Sequence, residues 1–432
     1  MEKTYVNCTS AENDLGNMEI EELFLGALSK ALADINNAGK VIIIPPDFTR
    51  IHSRSGLITE MAAKYLKDRL GAVLPAIGTH IPMNKNEISL MFGKTPSKKF
   101  LVHSWRNDIK ELGRLDANKV EKITEGSVRY DWPSQVNKLL HKDNCNFSLI
   151  ISIGQVVPHE VAGMANHIKN IFIGTGGKEA IDKSHFAGAA YGMERIMGKT
   201  QTPVRALFDE GLNLFGAQMP PILWVLTVID TKKDGNTAVR GLFIGFGREC
   251  FEKAAAFSQE INVNLLESRV NKMVVYLNPD EFRTTWLGNK AIYRTRMAVA
   301  DGGELLILAP ALERFGEDLE IDRLIRKYGY RPREEIIKMV NTNTELKCNL
   351  SAAAHMIHGS GEGRFNIRYC TSEKLSRGEI EAVGFKWGDI QEALSRYCPS
   401  KLSSGWNTLE DGEKIFYIPN PALGLWAENS IF

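Results

Sequence analysis

The chain lacks a charge imbalance. Lys and Arg number 53, Asp and Glu 52, and the net charge is +1 over 432 residues. No long-range field draws it to a polyanion or an anionic membrane surface. No basic run with interleaved aromatics is present either, so nucleic acid is not an expected partner. Long apolar runs are missing too. Segments such as ILWVLTVI at 222–229 fall far short of the ~20 residues a membrane span needs. The N-terminal MEKTYVNCTSAEND has no apolar core of a leader, so a cytoplasmic protein is expected. The six cysteines (Cys8, Cys145, Cys250, Cys348, Cys370 and Cys398) form no CxxC pair. That pattern excludes a zinc-finger spacing and fits reduced thiols acting as small apolar residues.

A length of 432 residues exceeds one ordinary core, and 44% hydrophobic with 24% charged residues is the composition of a globular protein. Apolar spacing predicts a helix over 19–38, stopped at Asn37–Gly39, and another over 55–69 with Ser55 near its N-cap. VIII at 41–44 and AVLPAIGTH at 72–80 read as strands. FSLIISIG (147–154) and a short IFIG (171–174) read likewise, followed by a helix-like KEAIDKSHFAGAAYGME. Two more apolar segments, PPILWVLTVID and AVRGLFIGFG, precede a long helix over 249–270. Strands at 271–280 and 302–311 with a helix between them, then helices at 319–327 and 333–340, continue the alternation. The expected fold class is α/β: two mixed α/β domains with parallel-type sheets, 1–270 and 271–432, and a cleft between them as the default site. The sequence carries no sign of oligomeric state.

Three of the nine histidines, His159, His167 and His185, fall within the glycine-rich stretch from Gly154 to Gly192, with Lys169 between the last two. Imidazoles on loops suggest metal ligation or proton transfer. Asp47, Arg50 and His80 each follow a predicted strand end, where open parallel sheets bind ligands. Arg50 is a rigid fork for phosphate or carboxylate, or else a simple ion-pair partner for Asp47. His80 and His159 are each open between a satisfied polar residue and an acid–base group. No HExxH or i, i+4 histidine pair supports zinc. GTGGKEAI at 174–181 has Glu179 where a phosphate loop carries Ser or Thr, so it reads as a glycine turn opening a helix, with an anion site as the lesser alternative. Lys290 alone reads as a solvated surface lysine, and Trp286 as core or cleft wall.

Taken in order, DFTR, GTH, PHEVAG, a lysine ten residues after His159 and a histidine sixteen further on resemble the nickel-dependent lactate racemase family. The likeness extends to a helix ending in ADGG and to LLILAPA in the second domain. The resemblance implies a nickel-pincer nucleotide, a pyridinium-3,5-bisthiocarboxylic acid mononucleotide, supplied by cofactor-biosynthesis proteins of the host. It implies Lys169 as the covalent tether and His185 as nickel ligand. It implies His80 and His159 as the acid–base pair, and Asp47, Thr49 and Arg50 as holding cofactor or substrate. Lys290 would bind substrate carboxylate beside Trp286 and Leu287. The implied reaction is racemisation or epimerisation of a small 2-hydroxy acid by hydride transfer. Two departures fall near the substrate. Leu287 stands where lactate-specific members carry glutamine, and Ile81 where an arginine is common. The expected substrate is therefore another 2-hydroxy acid, such as an aldonate-like or dicarboxylic one. The alternatives are a zinc hydrolase on His80, His159 and His185 with Glu160 as base, and a non-catalytic hydroxy-acid-binding protein.

Overall fold

The computed structural model describes residues 2–36, 38–144, 147–231, 236–422 and 424–432. Two compact units result: Met1–Ala187 with Ile196–Asn262, and Gly188–Arg195 with Val263–Phe432. Each is built on its own six-stranded sheet, so the chain is α/β with largely parallel sheets.

The first unit's strands are β1 (Lys3–Thr9), β2 (Lys40–Ile44), β3 (Leu70–Val73), β4 (Phe147–Gln155), β5 (Ile222–Thr231) and β6 (Thr237–Phe246). Their order across the sheet is β1-β6-β5-β4-β2-β3. The β5-β4-β2-β3 half is parallel, and β6 and β1 are antiparallel. Residues 148–155 of β4 are all buried. Such a run, without alternation, marks a strand covered on both faces. Helix α1 (Asn17–Ile35) turns Ile20, Phe24, Ala27, Leu28 and Ala31 inward at helical spacing and packs on β1 and α2 (Ser55–Leu66). Its predicted stop at Asn37 lies outside the described residues. Helix α2 starts at Ser55, but the cap position is Arg54 in a left-handed conformation.

Three element readings change. IFIG is not a strand: Ile168–Phe172 forms a short helix, α3, because the preceding Asn166 and His167 both take left-handed φ and start a turn there. The long helix, α5, spans only Arg248–Asn262. The Asn262 amide is drawn to the Ile229 carbonyl at 2.9 Å, and Val263–Leu266 then pairs as a strand with Leu425–Glu428. In the second unit, ADGG does not end a helix. It opens β8 (Val299–Ala309), with Gly302 at φ +79°.

The second sheet orders β10 (Lys386–Asp389), β9 (Asn366–Thr371), β8, β7 (Val270–Tyr276), β12 (Lys414–Ile418) and β11 (Gly405–Thr408). All pairings are parallel except β11 with β12. Helix Ile390–Arg396 covers part of it, packing Ile390 and Ala393 with Leu306, Leu308 and Cys370. The described cysteines, Cys8, Cys250, Cys348, Cys370 and Cys398, are free thiols, and Cys145 lies outside the described residues. Among the described residues no helix is long and apolar enough to cross a membrane.

Candidate active site

The parallel half of the first sheet brings the predicted residues to one edge. Pairing between β2 and β3 continues past both strands as a Pro46–Ala76 bridge. The two chain ends therefore leave the sheet side by side. The Gly78 turn, at φ +55°, folds His80 back, and the Gly78 N–H donates to the Gly174 carbonyl at 2.9 Å. His80 Nδ1 then meets Asp47 Oδ2 at 2.5 Å. Thr49 donates to Asp47 Oδ1 from its amide at 3.1 Å and its hydroxyl at 2.5 Å. Burial alone would raise the Asp47 pKa. His80, Thr49 and Arg50 outweigh it and hold the carboxyl at about 2. The carboxylate thus takes the His80 imidazole, rather than Arg50, as its hydrogen-bonded partner.

His159 sits in a tight antiparallel pairing of Pro158–His159 with Gly163–Met164. The amides of Val161 and Ala162 donate to its Nδ1 at 3.1 and 3.4 Å. In the neutral ring the proton is therefore on Nε2. At His80 the carboxylate accepts from Nδ1, which leaves the Nε2 lone pair open. By these contacts the two rings favour opposite tautomers, with the proton on Nδ1 at His80 and on Nε2 at His159.

Lys169 lies on α3. Asn170 pins that helix by donating to Ser152 Oγ at 3.0 Å and the Ile44 carbonyl at 3.3 Å, at the ends of β4 and β2. Desolvation pulls the Lys169 amine down to about 8, with Glu160 and Asp47 opposing and Arg50 and Arg205 assisting. His185, on α4 (Lys178–Tyr191), feels Lys169 and Glu160 in turn. Its pKa is lowered, chiefly by burial, so the ring is neutral near pH 7. Nδ1 is 2.7 Å from the Ile181 carbonyl and donates to it, which leaves Nε2 as a lone pair suited to a metal. The structure therefore brings Asp47, Thr49, Arg50, His80, His159, Lys169 and His185 into the first unit, with these electrostatic links among them.

His167 has a different role. Its ring packs between Trp224 at 4.2 Å and Phe251 at 5.0 Å, centroid to centroid, and burial holds its pKa well below the usual value. It anchors the left-handed turn before Lys169. Arg205, which the sequence did not flag, is fully buried over Phe251 and donates to the Met164 carbonyl at 2.5 Å. The glycine turn at 174–177 is no phosphate loop. A Cβ on Gly176 would sit 1.8 Å from the Phe172 carbonyl, so glycine serves close packing, and Glu179 is paired with Arg114 at 2.7 Å. Among the described residues no three His, Cys, Asp or Glu side chains are grouped to hold a metal unaided. The zinc centre considered on His80, His159 and His185 is therefore not formed by them.

In the second unit Lys290 is buried, not solvated. Its amine is 3.8 Å from Glu281 and lies over the Phe282 ring. Trp286 packs on the His355 ring at 4.4 Å, and Leu287 is half-buried beside it. His355, also missed by the sequence, is within 3.3 Å of Asn289 and 3.1 Å of Tyr330, and burial lowers its pKa to about 3. Only spatial proximity links these residues, since they come from distant segments.

The parallel sheet edge thus carries an Asp–His pair, a second histidine and a desolvated lysine, residue types that proton transfer and amine chemistry need. Residues 11–195 match the family described as the lactate racemase N-terminal domain. That match supports a racemase- or epimerase-type function. Among solved structures, a Thermotoga maritima protein is similar at 23% identity and TM-score 0.80, covering 96% of this chain and 99% of that one. The lactate racemase apoprotein from Thermoanaerobacterium thermosaccharolyticum is similar at 19% identity and TM-score 0.67, covering 98% and 94%. At these identities both matches establish the fold. No curated protein sequence matches the chain.

Proposed function

We propose that the protein racemises or epimerises a 2-hydroxy acid other than lactate, using a nickel-pincer nucleotide tethered to Lys169. The observation that carries this reading is a desolvated amine, Lys169, electrostatically linked to a neutral His185 whose Nε2 is left for a metal. Both side chains fit the group. A lysine with a pKa of about 8 has a substantial free-amine fraction at neutral pH, as covalent attachment through nitrogen requires. One imidazole completing a sulfur-rich set suits square-planar nickel. When bound, the group supplies a reversible acceptor for the substrate hydrogen.

The chain's own residues supply the proton chemistry. His80 Nε2, left open because Nδ1 is held by the Asp47 carboxylate, takes the hydroxyl proton in one substrate placement. His159 Nε2–H donates a hydrogen bond to the substrate oxygen in the other. The proton that His80 takes is returned from the His80 imidazolium when the hydroxyl re-forms. Arg50 contributes a fixed cation for the substrate carboxylate. In the second unit, the resemblance assigns the buried Lys290 to substrate carboxylate, with Trp286 and Leu287 beside it in sequence. Leu287 cannot donate the hydrogen bond a glutamine would, which favours a substrate other than lactate.

The test is the intact mass and nickel content of protein produced alongside cofactor-biosynthesis enzymes. A covalent adduct with nickel, absent from Lys169→Ala, is expected, along with turnover of a non-lactate acid in a 2-hydroxy acid panel. Bound zinc on an unmodified chain would support the hydrolase instead. Preference for lactate over all larger acids would refute the specificity.

A further inference from the structure

Beside the His80 loop, still on the first unit, is a pocket of about 440 Å³ with no part in the chemistry above. Ile77, Met83, Ile88 and Phe100 form its apolar walls, and Lys85 and Lys98 stand at its rim. The volume falls in the range of small-molecule sites, roughly 300–1,000 Å³. Around it the surface is unusually apolar: Ile81 is 72% exposed, Val102 63% and Leu101 38%. Exposed apolar side chains gathered at a cavity mark an interaction site, whereas scattered ones do not. Neither lysine has an ion-pair partner among the described residues, so two cations border an apolar cavity without counter-charge.

The pocket's inner wall is rigid. His103, fully buried, lies with Nε2 3.0 Å from the Gly176 carbonyl and Nδ1 2.9 Å from Asn137 Nδ2. Both ring nitrogens are used, with Nε2–H donating to Gly176 and Nδ1 accepting from Asn137. The wall therefore ends on the turn that opens the His185 helix, while Ile77 and Met83 bracket His80 in sequence. A ligand here touches the supports of two site histidines without touching the histidines.

We infer that this pocket binds a small amphiphilic monocarboxylate, its chain among Ile77, Met83, Ile88 and Phe100 and its carboxylate between Lys85 and Lys98. The proposal is independent of the racemase reading, because it needs neither cofactor nor turnover. Titration calorimetry of the full chain with octanoate, and with 1-octanol as the uncharged comparison, tests it. Expected are saturable one-to-one binding and octanoate affinity several-fold above that of octanol. Lys98→Glu should weaken octanoate about tenfold and leave octanol unchanged. Ile88→Glu should abolish both. Ile88 is only half-buried and Val102 is exposed, so Val102→Glu serves as a second variant with unchanged melting temperature, expected to weaken both ligands. Absence of saturable octanoate binding to the wild-type chain would overturn the proposal. So would equal octanoate affinity in Lys98→Glu and Ile88→Glu.

Discussion

His80 Nδ1 and Asp47 Oδ2 are 2.5 Å apart, joining the segments that follow β2 and β3. By holding Nδ1, the carboxylate fixes the ring's tautomer and turns its outer nitrogen outward as an acceptor. Asp47→Asn keeps the shape but offers a neutral acceptor. Turnover of the loaded enzyme should fall about 10²–10⁴-fold, the usual scale of a general acid–base contribution. Unchanged turnover would remove Asp47 from the mechanism.

Asp47 also ties stability to pH. Its folded pKa of about 2 lies below the unfolded value near 3.8. A depressed carboxyl contributes stability that is full above the unfolded pKa and is lost as pH falls through the folded one. The stability gap between wild type and Asp47→Asn should therefore narrow by about 2 kcal/mol as pH drops from 5 to 2. Urea melts across that window measure it, and a pH-independent gap would contradict the assignment.

Lys169 should titrate early. Its amine should react with half-maximal rate near pH 8, the folded value set by desolvation. Ordinary lysines titrate near ~10.4. Brief reductive methylation at several pH values, read lysine by lysine by peptide mass spectrometry, reports it. Because the amine is easier to deprotonate in the folded state, its contribution to stability rises with pH between about 8 and 10.5, the sign opposite to a raised lysine.

The histidines of the Gly154–Gly192 window should separate by phenotype. His167→Ala empties a slot between Trp224 and Phe251 and should cost about 2–4 kcal/mol in denaturant melts, the scale of a buried large-to-small change. His185→Ala removes a ring whose Nε2 faces away from its own hydrogen bond. It should change stability much less, while lowering nickel retention more than it lowers adduct formation on Lys169. Equal destabilisation by both variants would make His185 structural.

Gly163 is a sterically constrained point beneath His159. At φ +79° it can carry no side chain without strain, and a Cβ would lie 2.0 Å from the Lys199 carbonyl. Gly163→Ala should destabilise the fold by more than about 1 kcal/mol and misplace His159, seen as a lowered melting temperature together with lost turnover.

Apolar runs revealed β2, β4, β7 and β8, because buried parallel strands are continuous apolar segments. Residue order alone singled out Asp47, His80, His159, Lys169 and His185. Their partners were not legible, since a hydrogen bond spanning 33 residues from Asp47 to His80 leaves no local pattern. IFIG was misread because short apolar runs suit strand and helix alike, and two left-handed residues upstream decided for helix. Lys290 changed from solvated to buried for the same kind of reason: burial is a property of what packs around a residue, not of the residue. Composition and spacing thus determined the α/β class and which side chains were candidates for chemistry. Only the folded sheet decided their protonation, since tautomer and pKa depend on which donors and charges the strand order brings within a few ångströms.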